Sequence, residues 1–134
     1  MEAVAAAISH AQSRPEVDPA RIGLVGFSLG AYLAMSVAAQ DPRVGAVVEC
    51  FGGMPDRIAE NLQRLPPTLI LHGDADAVVP VSEAYKLEDL LRARGVEYEI
   101  RIYRGVGHAF TGAAAVDSIT RTAGFLRRHL RSGT

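Results

Sequence analysis

Three stretches of this chain carry side chains able to do nucleophilic chemistry together. The first is Gly26-Phe27-Ser28-Leu29-Gly30, a serine with glycines two residues before and two after it, at the end of an apolar run. A serine hydroxyl is a poor nucleophile until a base removes its proton, and a neutral histidine held by a carboxylate does this. The second stretch, Gly105-Val106-Gly107-His108-Ala109-Phe110, supplies such a histidine in a glycine-rich loop. The third, His72-Gly73-Asp74-Ala75-Asp76-Ala77-Val78-Val79-Pro80, offers two carboxylates. Asp76 is far enough out to reach a histidine on the next loop, whereas Asp74 suits support of the turn through backbone N–H groups. Of the other histidines, His72 closes a strand and reads as structural, and His10 and His129 fall on helices and read as surface residues.

These side chains need elements to carry them. Residues 21–27 read as a strand, continuously apolar from Ile22 on, as in a strand buried on both faces of a parallel sheet. Leu29, Leu33 and Val37 then recur at helical spacing through about residue 40. The turn between strand and helix is tight, so residues without a Cβ allow the approach. The helix aims its N-terminal N–H groups at any negative charge formed beside Ser28, and the Leu29 N–H is the candidate oxyanion donor.

Around this unit the pattern predicts a helix over 2–13 ended by Arg14-Pro15, and a valine-rich strand over 44–50. It predicts a short amphipathic helix over 56–65, a strand over 68–72, and a helix over 83–94 capped by Ser82 and stopped at Gly95. A strand over 96–103 and a last helix over 116–131 follow, the latter with Val116, Ile119, Ala123, Leu126 and Leu130 on one stripe. Four strands separated by helices imply parallel pairing through right-handed crossovers, a three-layer α/β sandwich. All strands then end on one side, where open α/β sheets bind ligands. Ser28, Asp76 and His108 follow three different strand ends.

Composition bounds the rest. At 134 residues the chain is expected to form one domain that needs no staple. Half the residues are apolar (49%), and the formal net charge is −1, so no basic balance argues for nucleic acid. One cysteine, Cys50, leaves no intrachain disulfide and no cysteine metal cluster, and the expected compartment is the cytoplasm. The N-terminal stretch has neither the pattern of a secretory signal nor that of a membrane span.

Taken together, the Gly-Phe-Ser28-Leu-Gly turn after a strand, the His-Gly-Asp-Ala-Asp76 segment followed by Val-Val-Pro, and Gly-Val-Gly-His108-Ala-Phe resemble the dienelactone hydrolase branch of the α/β hydrolases. The resemblance runs from about Asp18 to Leu130, in the chain order nucleophile, acid, base. It implies Ser28 as nucleophile, Asp76 as acid and His108 as base, and hydrolysis of an ester or lactone without metal or organic cofactor. Dienelactone hydrolases proper carry cysteine as nucleophile, so serine points to the wider esterase-like members. Relatives also have strands before the elbow, one of whose loops gives a second oxyanion N–H. This chain therefore resembles a truncated α/β-hydrolase fold, the C-terminal part that bears the triad, with alanine at position 31 where relatives often have glycine.

Phe51, Met54 and Phe110 sit in carboxyl-end loops and are candidates for an acyl pocket or for plain core packing. Cys50 reads as a buried hydrophobe, Glu49 as the partner of an arginine ahead of the alternative that it assists the site, and Tyr32 and Tyr85 as packing residues. The leading expectation is a small serine esterase with an open site and a small-molecule ester substrate, with no nucleic-acid or membrane partner. The alternatives are a prolyl-oligopeptidase-like peptidase and a non-catalytic hydrolase-fold remnant serving as a binding or assembly module. Strand 21–27, whose run Ile22-Gly23-Leu24-Val25-Gly26-Phe27 has no charge or proline, would be an apolar edge, so a homodimer or higher oligomer is expected.

Overall fold

A computed structural model describes residues 1–130. The chain runs α1 (Glu2–Ser13), β1 (Ile22–Phe27), α2 (Leu29–Gln40), β2 (Val44–Cys50), α3 (Asp56–Glu60), β3 (Thr68–Gly73), α4 (Ser82–Ala93), β4 (Tyr98–Tyr103) and α5 (Gly112–His129). The four strands form one parallel sheet in the order β1-β2-β3-β4. A sheet that grows in one direction through right-handed crossovers keeps its crossover helices on one face. Accordingly α1, α2 and α4 pack into one core with Val44, Val47 and Ile70, while α5 closes the other face over Ala46, Val48, Leu69 and Leu71 through Phe125. The three layers match the expected sandwich.

The central strands β2 and β3 are covered on both faces, and Val47, Val48, Ile70 and Leu71 have no exposed surface. β1 differs from the expectation of two-sided burial. It is an edge strand, with Val25 41% and Phe27 57% exposed, because α5 alone covers that face and crosses it near the far end. There the close approach is real: a Cβ at Gly23 would meet Leu126 and Leu130 side-chain carbons at 3.0 and 2.9 Å.

Two helices present other faces than their leucine spacing suggests. In α2 the buried residues are Ala31, Ala34, Met35, Ser36, Val37, Ala38 and Ala39, and Leu29 and Leu33 are exposed. Alanines face the sheet because the elbow draws the helix too close for leucine. In α5 the buried positions are Ser118 and Phe125, and Val116 and Ile119 point to solvent. This helix starts at Gly112, four residues earlier than expected, because Ala113–Ala115 are strong helix formers off the apolar stripe. Residue 131 lies outside the described residues.

α3 is shorter than its pattern and ends at Glu60. Pro66 disfavours helical backbone at Leu65, so Leu62 and Leu65 reach the core from an irregular segment. Ser82 does not cap α4; it is the first helical residue, after Val81, and makes no capping bond. The stop at Gly95 is a Schellman turn: Gly95 has φ +67°, and the Val96 N–H donates to Leu91 O at 2.9 Å. That turn uses Val96, so β4 begins two residues later than expected.

Candidate active site

β1 ends by running into α2 at a single residue. Ser28 has φ 55° and ψ −121°, a sparsely populated conformation for a residue with a side chain. Its N–H continues the sheet by donating to Cys50 O at 3.0 Å. A Cβ at Gly26 would lie 2.3 Å from Gly30 O and 2.8 Å from the Ala31 Cα, so only glycine lets strand and helix cross here. Gly30 is different, for a Cβ there meets nothing within 4 Å. The second glycine the elbow needs is Gly52, where a Cβ would fall 2.7 Å from Ser28 O and 2.5 Å from the Ala31 Cβ. It lies outside the serine motif, and the sequence singled out no role for it.

A serine before a helix ordinarily caps it. Ser28 makes no capping bond; its Oγ lies 2.9 Å from His108 Nε2. Among the described residues the Leu29 N–H has no hydrogen-bond partner, and Leu29 is 81% exposed, leaving a free donor at the positive end of α2.

His108 stands on the loop after β4, and that loop is tied to the one after β3. The Asp74 N–H donates to Tyr103 O, the Ala75 N–H to Val106 O, and the Gly105 N–H to Asp74 Oδ1 at 2.7 Å. Gly73 admits the contact, since a Cβ there would lie 2.1 Å from Val106 O. Asp74 thus braces the turn, and the bracing carries His108 to Asp76. His108 Nδ1 is 2.9 Å from Asp76 Oδ2 and 3.1 Å from Oδ1.

An ionised carboxylate only accepts, so the His108 proton belongs on Nδ1 and the Nε2 lone pair faces the Ser28 hydroxyl. Burial by itself would raise the Asp76 carboxyl. Hydrogen bonds from His108 and from the Val79 and Val78 N–H groups outweigh it and hold the carboxyl below its ordinary value. His72, fully buried, donates from Nε2 to Val79 O at 2.8 Å and lies 3.4 Å from Asp76 Oδ2, so it supports the acid's loop. His10 is exposed, while His129 is half-buried against Phe125, ring centroids 4.4 Å apart.

Phe51 has φ +41°, and its ring sits 5.1 Å from His108, 4.9 Å from Phe110 and 5.8 Å from Phe27, centroid to centroid. An aromatic wall therefore flanks the imidazole. Met54 does not join it; it packs in the core of the opposite face with Ala59 and Leu87. Cys50 is buried, and burial pushes its thiol up to about 12. Glu49 has no arginine partner among the described residues. It is fully buried, its Oε1 accepts the Gly52 N–H at 2.8 Å, and its Oε2 has no partner among them.

Among the described residues no group of three or more His, Cys, Asp or Glu side chains is disposed to hold a metal ion, and no helix is long and apolar enough to cross a membrane. The arrangement places a hydroxyl against a base, the base against a carboxylate, and a free N–H beside the hydroxyl. Those parts are what acyl transfer to an oxygen nucleophile requires.

Comparison with known proteins gives a consistent answer. A protein of Methylorubrum extorquens named as a carboxymethylenebutenolidase is 31% identical over 116 residues, taking in 78% of this chain and 39% of that protein. Acyl-protein thioesterase 1 homolog 1 of Dictyostelium discoideum is 28% identical over 106 residues, 75% of this chain and 47% of that one. The chain spans less than half the length of these curated relatives. Among solved structures, esterase PE8 superposes with a TM-score of 0.81 at 28% identity, over 96% of this chain and 60% of that one. A Mycobacterium tuberculosis puromycin-hydrolyzing peptidase shares the fold, with a TM-score of 0.86 at 20% identity over 96% of this chain and 25% of its own. The family model for dienelactone hydrolases matches residues 1–124, a span that holds all four strands, the elbow and the loops of Asp76 and His108, and the chain belongs to the dienelactone hydrolase family.

Proposed function

We propose that this chain is a serine hydrolase of small carboxylic esters or lactones. The observation that carries the reading is the unbroken relay from Ser28 Oγ through His108 to Asp76, with contacts of 2.9 Å on both sides of the ring. His108 Nε2 takes the hydroxyl proton as Ser28 Oγ attacks the carbonyl carbon. The carbonyl oxygen becomes an oxyanion beside the Leu29 N–H, a donor of the kind worth about 3 kcal/mol in the transition state. His108 returns the proton to the departing alcohol oxygen, leaving an acyl-enzyme on Ser28. Water, deprotonated by His108, then releases the acid. Asp76 holds the ring in the productive tautomer and stabilises the imidazolium of each step.

Phe51 and Phe110, with Phe27, form the apolar side of the substrate site. The exposure of Phe27 and Leu29 leaves the rim open, which favours small acyl groups. A cytoplasmic location accords with a single buried cysteine. The unpaired side of β1, continued by exposed Leu29 and Leu33, is proposed to pair with a second copy of the chain.

Short p-nitrophenyl esters and a fluorophosphonate probe test the reading. Purified chain should hydrolyse the esters and take up one label at Ser28. Ser28→Ala should abolish both, and His108→Ala should suppress both. A folded chain that neither hydrolyses nor labels, beside a labelled control serine hydrolase, sinks the proposal.

A further inference from the structure

Among the buried titratable groups of the described residues that the mechanism above leaves unused, Glu49 alone touches the turn beside Ser28 through its side chain. Glu49 lies on β2, opposite Gly26 of β1, with no exposed surface. Its carboxyl reaches the Gly52 N–H, and Gly52 is wedged against Ser28 O and Ala31. Between them stand Cys50, whose carbonyl receives the Ser28 N–H, and Phe51, whose strained backbone sets its ring against His108. One side chain therefore braces the turn that touches both the nucleophile and the base.

The groups facing Glu49 explain its state. Glu83 comes from α4 and Tyr32 from α2, the Cys50 thiol neighbours it on β2, and Lys86 and Asp56 act on Tyr32 beyond them. Lys86 is engaged with Asp56, and the charge felt most at Glu49 is that of Glu83, of like sign. Among the described residues no cation pairs with an ionised Glu49, and a buried unpaired charge is expensive.

We propose that Glu49 is a positioning residue for the elbow, working as a neutral carboxylic acid whose Oε1 holds the Gly52 N–H and so keeps the Phe51 turn beside Ser28 and His108. Loss of its proton puts an uncompensated negative charge beside the first turn of α2. That charge opposes the oxyanion forming at the same helix end, and it tightens the pull on the Gly52 N–H and so shifts the turn that Gly52 carries. Burial, with the Glu83 charge, pushes the carboxyl up to about 8 against the pull of the Gly52 N–H, so the loss falls in the mildly alkaline range.

The proposal rests on the serine hydrolase reading, and the experiment separates the two. Using the whole chain, kcat and KM for p-nitrophenyl acetate are measured across pH for wild type, Glu49→Gln and Glu49→Ala, with circular dichroism to verify folding. The Gly52 amide shift is followed by NMR in parallel. Wild-type kcat should fall with a midpoint near 8, and the Gly52 amide should move with the same midpoint. Glu49→Gln keeps an acceptor for Gly52, so its kcat at neutral pH should stay within about twofold of wild type and the alkaline fall should vanish. Glu49→Ala strands the Gly52 N–H and should lower kcat about tenfold at every pH with little change in KM. A Glu49→Gln variant that keeps the alkaline fall, or a Gly52 amide that does not titrate, overturns the proposal. Absence of hydrolysis and labelling in wild type at every pH removes the hydrolase reading instead, while the amide titration still reports whether Glu49 governs the turn.

Discussion

Replacing Asp76 by asparagine isolates the role of the carboxylate, because the structure dictates how the new amide must sit. Asp76 Oδ1 accepts the N–H groups of Val78 and Val79, at 2.9 and 2.8 Å. Neither donor tolerates an NH2 group, so the asparagine oxygen takes that side. Its nitrogen then occupies the place of Oδ2, 2.9 Å from His108 Nδ1. Two N–H groups cannot face each other there, and the imidazole moves its proton to Nε2. Ser28 Oγ, 2.9 Å away, then meets a donor where it needs a base. A wrong tautomer in an intact site costs about 10⁴ in kcat, or about 5.4 kcal/mol at roughly 1.36 kcal/mol per factor of ten. Asp74→Asn is the control: Asp74 Oδ1 accepts the Gly105 N–H, an asparagine oxygen does the same, and activity should stay within about threefold. The assay is steady-state hydrolysis of p-nitrophenyl butyrate, with fluorophosphonate labelling rates as a second measure of nucleophile activation. A folded Asp76→Asn protein within about tenfold of wild type, or an Asp74→Asn protein as impaired as Asp76→Asn, refutes the reasoning.

The two glycines of the elbow motif should behave oppositely: Gly26→Ala drives a methyl into the Gly30 carbonyl and should cost about 3 kcal/mol or more, whereas Gly30→Ala has open space and should be neutral or stabilising in thermal melts. Because the Asp76 carboxyl is held below its ordinary value, the folded state binds fewer protons there than the unfolded one. Its contribution to stability is therefore present above about pH 4 and lost as pH falls through the folded-state value, so the gap in melting temperature between wild type and Asp76→Asn should shrink on acidification. Glu49 has the opposite sign: stability should fall as pH rises from 4.5 to about 8, and Glu49→Gln should remove that slope in melts followed against pH. Light scattering should give a dimer at micromolar concentration, and Val25→Lys on the open edge of β1 should give a monomer; a monomeric wild type would refute the edge pairing.

The sequence by itself determined the order of elements and the three residues, Ser28, Asp76 and His108, whose side chains come into contact at the candidate site. Its hydrophobic periods and its Gly, Pro and Asp-Pro punctuation are local signals, so the strands, the helix start near Ser28 and the helix stop at Gly95 could be read without coordinates. Ser28, Asp76 and His108 could be singled out because each follows a strand, and a parallel sheet delivers every strand end to one rim. Tertiary structure decided what depends on neighbours distant in the chain. Which face of α2 and α5 is buried was set by how closely each helix crosses the sheet, and that favoured Ala31 and Phe125 over Leu29 and Ile119. The need for glycine at position 52 arises only where that loop meets Ser28 and Ala31. Glu49 looked like half of an ion pair because glutamate usually is one. Only the folded chain, by burying it opposite Gly26 with no arginine beside it among the described residues, makes it a buried acid with one accepted N–H and one oxygen that none of those residues pairs.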